Sequence, residues 1–167
     1  RDLHYPLRRQ RQMCIRDSKL EGRLPDRVHD CVGKDITIHD NRGVCSHAAH
    51  CVTNLPEVFD WQDRPWINPD AASADDIART IEQCPSGALS YTRDGVLHKD
   101  LKREPALRVE RSGPYEVVGG PVLVDPDGNR PESKEHYTLC RCGRSKNKPF
   151  CDGTHCNVEG DRSQDKS

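Results

Sequence analysis

The chain has 167 residues, 33% hydrophobic and 32% charged, with a formal net charge of -1. That balance argues against a broadly basic nucleic-acid binder or a membrane-surface protein, and no stretch reaches the roughly 20 apolar residues of a membrane span. So thin an apolar supply predicts a small core that a metal or disulfide must help to hold, and nine cysteines are present for the task.

Residues 1–30 are expected to be disordered or non-native. Residues 13–18 read MCIRDS, which resembles a translated sequencing adapter. No apolar run of the export type is found there, and nine is an odd count for a secreted disulfide framework. A reducing, cytoplasmic compartment is therefore expected. Ile36 and Ile38 alternate with polar neighbours and predict a half-buried strand over 35–39, with turn chemistry at 40–43. Trp61 and Trp66 are expected to cover a small core or a cluster. The clearest helix begins after Ser73, where Asp76 completes a capping pattern and Ala74, Ile77, Ala78 and Ile81 form one apolar stripe. It must stop near Cys84, because Pro85 disfavours helical geometry in the residue before it.

Further strands are predicted over 88–91, 107–109, 115–118, 122–124 and 137–139, with Asp94-Gly95 turning the chain toward Val96 and Leu97. The predicted class is α+β. Residues 31–97 form a first domain, 98–106 a linker, 107–158 a β-rich second domain and 159–167 a polar tail.

Two groups of metal-ligating side chains stand out. Cys140, Cys142, Cys151 and His155 fall within the run CRCGRSKNKPFCDGTH. Thiolate and imidazole are metal ligands, and the spacing alone favours a structural Cys3His zinc site. Ser145, Thr154 and the backbone amides are candidate hydrogen-bond donors to sulfur, and Arg141, Arg144, Lys146 and Lys148 offset thiolate charge. The second group is looser: Cys45, Cys51 and Cys84, the last followed by Pro85. A ferredoxin loop has Cys-x2-Cys-x2-Cys with a remote Cys-Pro, and here the middle position is Ala48. Three thiolates suit a [3Fe–4S] cluster, or a [4Fe–4S] cluster whose fourth iron has another ligand; His47 is the candidate, with His50 beside it. Cys31 and Cys156 are weaker candidates.

From Cys140 to His155 the chain resembles the CDGSH iron–sulfur family at every fixed position of its signature, including Ser145, Pro149, Asp152, Gly153 and Thr154. The resemblance implies a [2Fe–2S] cluster, with Cys140 and Cys142 on one iron and Cys151 and His155 on the other. It also implies pairing as a homodimer, a question the first domain leaves open. The family's aromatic residue near 159–160 is missing here. The stretch 44–91, with Cys45-x-His47-x3-Cys51, Pro65-Trp66-Ile67-x-Pro69 and Cys84-Pro-Ser-Gly87, resembles the divergent 4Fe–4S mono-cluster ferredoxin-like domain often found beside a CDGSH motif.

The function expected from these readings is intracellular electron transfer by two iron–sulfur centres, with cluster storage or transfer, or redox sensing, as the alternative. A zinc-stapled interaction module is the third reading. The chain is expected not to be an enzyme: it has no Gly-rich phosphate loop, no nucleophile elbow and no carboxylate pair with an evident role. Its expected partner is a redox protein that docks by complementary charge, the 57–82 segment being mostly acidic and the Cys140 loop basic.

Overall fold

The computed structural model describes residues 28–157. The expectations for residues 1–27 and 158–167, including the adapter-like segment and the polar tail, lie outside the described residues. Two antiparallel sheets make the frame. The first has the order β1 (Val28–Val32), β2 (Thr37–Asn41), β3 (Leu89–Arg93) and β4 (Val96–His98). The second has the order β5 (Ala106–Val109), β6 (Tyr115–Val118) and β7 (His136–Leu139). Both helices, α1 (His50–Asn54) and α2 (Ala74–Ile81), lie in the long connection between β2 and β3. The class is α+β, mostly sheet.

Register explains the first core. Ile38 pairs with Cys31 on one side and Tyr91 on the other, so its side chain is carried onto the face that the helices cover. Ile36, Ile38, Val52, Leu55, Val58, Phe59, Ile67, Ile77, Ile81, Leu89 and Tyr91 are all buried there. Each such side chain contributes about 1.5–3 kcal/mol of burial. Trp61 is buried with them and Trp66 packs at their edge, as expected of core cover. The 66–67 segment forms only an isolated bridge, Phe59 to Ile67.

Ser73 caps α2 by accepting from the Asp76 amide at 3.2 Å. The return bond differs from a full capping box: Asp76 accepts from the Ser73 hydroxyl at 2.5 Å. An aspartate is one methylene shorter than the Glu of that motif. The helix closes at Ile81, and a turn carries the chain to Cys84, whose amide donates to the Ile81 carbonyl.

Three expectations are corrected. β1 begins at Val28, inside the segment expected to be disordered, because its backbone pairs with all of β2. No helix was expected around Cys51, yet α1 forms there; five residues are too few to show a helical period. The 122–124 segment is not a strand. Val122 and Val124 are 87% and 89% exposed, and the edge beyond Leu139 is taken by Phe150.

The second sheet divides its faces by the two-residue period of a strand. Val117 and Tyr137 face one way and meet Phe150, whose ring stands edge-on to Tyr137 at 6.3 Å. Glu116, Val118, His136 and Thr138 face the other way, and all four are buried. Contacts with the first domain and the linker cover part of that face. Fully buried Ser133 donates to Asp100 at 3.0 Å and lies 3.1 Å from His136 Nδ1. Asn41 donates to Glu132, which also pairs with Lys99. The 98–106 segment is therefore an ordered joint, whose first residue ends β4 and whose last begins β5. Among the described residues no helix is long and apolar enough to cross a membrane.

Candidate metal centres

The first centre is assembled by the loop between β2 and α1. Asn41 ends β2 and accepts from the Gly43 amide at 3.0 Å, which starts a 3-10 turn at Arg42–Val44. Cys45 follows. His47 and Ala49 then take left-handed backbone conformations, φ 57° and 64°. For residues with a Cβ that costs on the order of 1–3 kcal/mol each, so the surrounding structure must enforce it. The reversal brings Cys51, in the first turn of α1, back toward Cys45. Pro85 and the end of α2 bring Cys84 to the same cavity, which Ala48, Ser86 and Trp66 also line.

The three thiols act on one another. Burial pushes Cys45 up to about 12, with Arg42 lowering it and Cys84 raising it. Burial also pushes Cys51 up, and the charges of Cys45 and Cys84 push it further. Thiols placed this way stay protonated unless a cationic group takes the place of the protons. The His47 amide lies on the Cys45 sulfur and the Val52 amide on the Cys51 sulfur, both favouring thiolate. Ser46 Oγ, in this wall, is buried without a hydrogen-bond partner. A hydroxyl donor left unpaired beside three thiols fits an electron-rich group in the cavity.

The second centre is a loop held at both ends by β7. The Cys140 amide donates to the Pro149 carbonyl at 2.8 Å, and the Cys151 amide to the Thr138 carbonyl at 3.0 Å. Ser145 donates to the Phe150 carbonyl at 2.7 Å, so its hydroxyl braces the loop and does not serve sulfur as expected. Asp152 accepts from the Lys146 and Thr154 amides. Burial alone would raise its carboxyl, but these bonds and the Thr154 hydroxyl hold it below its ordinary value. Amides do serve the sulfurs: Arg144 donates to Cys142 at 3.4 Å and Gly153 to Cys151 at 3.5 Å. Arg141 is committed elsewhere, to the Glu110 carbonyl.

The donors form two pairs. Cys140 and Cys142 sulfurs are 3.9 Å apart, and Cys151 sulfur is 3.3 Å from His155 Nδ1. Two sulfurs bound about 2.3 Å from one tetrahedral metal stand about 3.8 Å apart. Each pair therefore has the spacing for one metal. Burial pushes Cys151 up to about 12; its Gly153 bond lowers it, and the Asp152, Cys140 and Cys142 charges raise it.

The two loops touch. Gly153, at φ +79°, packs on the buried His47 ring so closely that an added Cβ would meet it at 2.5 Å. Asn147 donates across the joint to the Gly43 carbonyl at 3.1 Å. The structure thus places His47 at once in the wall of the first cavity and against the second loop. His50 also lines the first cavity but is exposed on α1. Cys31 lies on β1 against the core, away from the cavity lining. Cys156 sulfur lies 3.6 Å from His155 Nε2, the nitrogen turned away from Cys151. Ser46 and Asn147 were not singled out from the sequence; nothing in their spacing marks them.

Comparison with known proteins bears on the same segments. Residues 31–94 match the family described as divergent 4Fe-4S mono-cluster, and residues 112–156 the one described as iron-binding zinc finger CDGSH type. The uncharacterized protein YjdI of Escherichia coli, from strain K12 and from O157:H7, is 36% identical over 73 residues. The match covers 43% of this chain and 96% of that protein. No solved structure matches.

Proposed function

This chain belongs to the divergent 4Fe-4S mono-cluster family and carries a CDGSH-type iron-binding domain behind it, and from that premise we propose that it holds two iron–sulfur centres and passes single electrons between them and a redox protein. Cys45, Cys51 and Cys84 hold the first, a [4Fe–4S] or [3Fe–4S] cluster, with His47 the nearest candidate for a further ligand. Cys140, Cys142, Cys151 and His155 hold the second, a [2Fe–2S] cluster. When bound, such groups accept and release one electron at a time.

The observation that carries this reading is the contact between the two loops, His47 on Gly153 and Gly43 on Asn147. A relay needs its centres close and fixed, and these contacts between the two loops support that reading. The chain's own part is to bury the sulfurs, aim amides at them and keep the loops in register. EPR with iron and sulfide counting on anaerobically purified protein tests the proposal. Two distinct signals with mutual broadening are expected; a colourless protein with bound zinc overturns it. A second reading, cluster delivery to an acceptor protein, is favoured by the partial exposure of Cys140, Cys142 and His155. Loss of the His-ligated spectrum to an added apo-acceptor, with the other centre retained, would select it.

A further inference from the structure

A second cavity opens on the far side of the first centre. It is a cleft of about 730 Å³ between the end of α2, the joint and the buried-polar face of the second sheet. Ligand sites commonly occupy about 300–1,000 Å³ and favour domain junctions. Its wall holds an unexplained group. Glu116 is only 5% exposed, and its Oε1 has no hydrogen-bond partner. A buried carboxylate oxygen left unpaired is costly, and native structures rarely keep one without use. Burial raises the Glu116 carboxyl, with Glu110 adding to the rise and Arg108 and Arg103 opposing it.

Around it the wall carries both signs, Arg79, Lys102, Arg103 and Arg108 with Glu82 and Glu110. Arg108 stands directly across from Glu116 in the β5–β6 register, and Lys102 lies on the joint. Both are exposed, and among the described residues neither forms an ion pair. The cleft thus offers cations at its mouth and a hydrogen-bond acceptor at its floor. His50 and Pro85 belong to its wall and to the wall of the cysteine cavity. They are the chain neighbours of Cys51 and Cys84.

We propose that this cleft binds a nucleotide-type ligand, its phosphate on Lys102 and Arg108 and a ring N–H donating to Glu116. Binding itself does not depend on the two-cluster reading. Only the ligand's purpose does, as a small redox molecule seated beside the first centre.

The test is calorimetric titration of the full chain with flavin mononucleotide, NADPH and AMP, with inorganic phosphate as the control. Saturable binding of at least one nucleotide, tighter than phosphate, is expected. Arg108→Glu and Lys102→Glu, both at exposed positions, should each weaken it by about tenfold or more, the scale of a charge-assisted hydrogen bond. Glu116→Ala should do the same, while Glu116→Gln, which keeps an acceptor oxygen, should retain most of it. No binding of any of the three up to about a millimolar overturns the proposal. So does binding indifferent to the rim variants, or phosphate binding as tightly as the nucleotides. Iron and sulfide content of the same samples reports separately on the clusters, so failure of one reading does not pass for failure of the other.

Discussion

The two candidate metal loops differ in how far the chain must travel to build them. The second is local: all four donors lie between Cys140 and His155, braced by bonds within the loop and to β7. The first is tertiary: Cys45 and Cys51 flank a left-handed turn, while Cys84 arrives only after α2 has packed on the first sheet. A local site depends on its own turn chemistry. A tertiary one depends on the core beneath it, here Ile77, Ile81 and Val52.

Removing one donor from each site breaks the comparison most sharply. Cys84→Ala should abolish the first centre and leave the second loaded, and Cys142→Ala the reverse, read by iron and sulfide counts and visible absorption. If Cys84→Ala empties both, the second loop is not self-sufficient. A strong effect is also expected at the seam. Gly153→Ala places a Cβ 2.5 Å from the His47 ring at a φ of +79°. The backbone conformation alone costs about 1–2 kcal/mol, and His47 must move as well. Both centres should then change their EPR spectra, because the substituted residue sits in one loop and the displaced ring in the other. An altered second centre beside an untouched first would show that His47 does not link them.

His136 gives a pH test of the joint that leaves the donors alone. Burial, with the Arg103 charge adding, holds its imidazole down to about 4 from an ordinary 6.5. The unfolded chain then binds the proton that the folded chain refuses. Stability therefore falls as pH drops from about 6.5 to about 4, by roughly 3 kcal/mol in all. Urea midpoints for parent and His136→Gln across that window check it; the variant should show the flatter profile. The smallest effect is at the cap of α2. Ser73→Ala removes the acceptor of the Asp76 amide and should cost about 1 kcal/mol. It should lower Tm and loosen the first centre, which rests on α2, before the second.

Legibility followed the same division. The four candidate donors of the second site stand out in the sequence because they share one loop, and the structure adds their spacing as two pairs. Ser73 and the Ile77 stripe were legible for a similar reason: caps and helical faces are local patterns. The Val122–Val124 alternation misled, because a strand needs an open edge to pair with and the sequence does not say which edges remain. α1 was too short to show a period. Ser145 was assigned to sulfur on proximity in sequence, while the folded loop turns its hydroxyl to the Phe150 carbonyl.

What the sequence by itself determined is local: two groups of metal-ligating side chains with different spacings, and where the helix starts. Only the tertiary structure decided that Cys84 meets Cys45 and Cys51, that His47 lies against Gly153, and that Glu116 faces a cleft and not the core. The reason is geometric. Spacing along a chain reports contacts within one turn or element, whereas sheet register and helix docking bring together residues whose separation in sequence carries no trace of their distance in space.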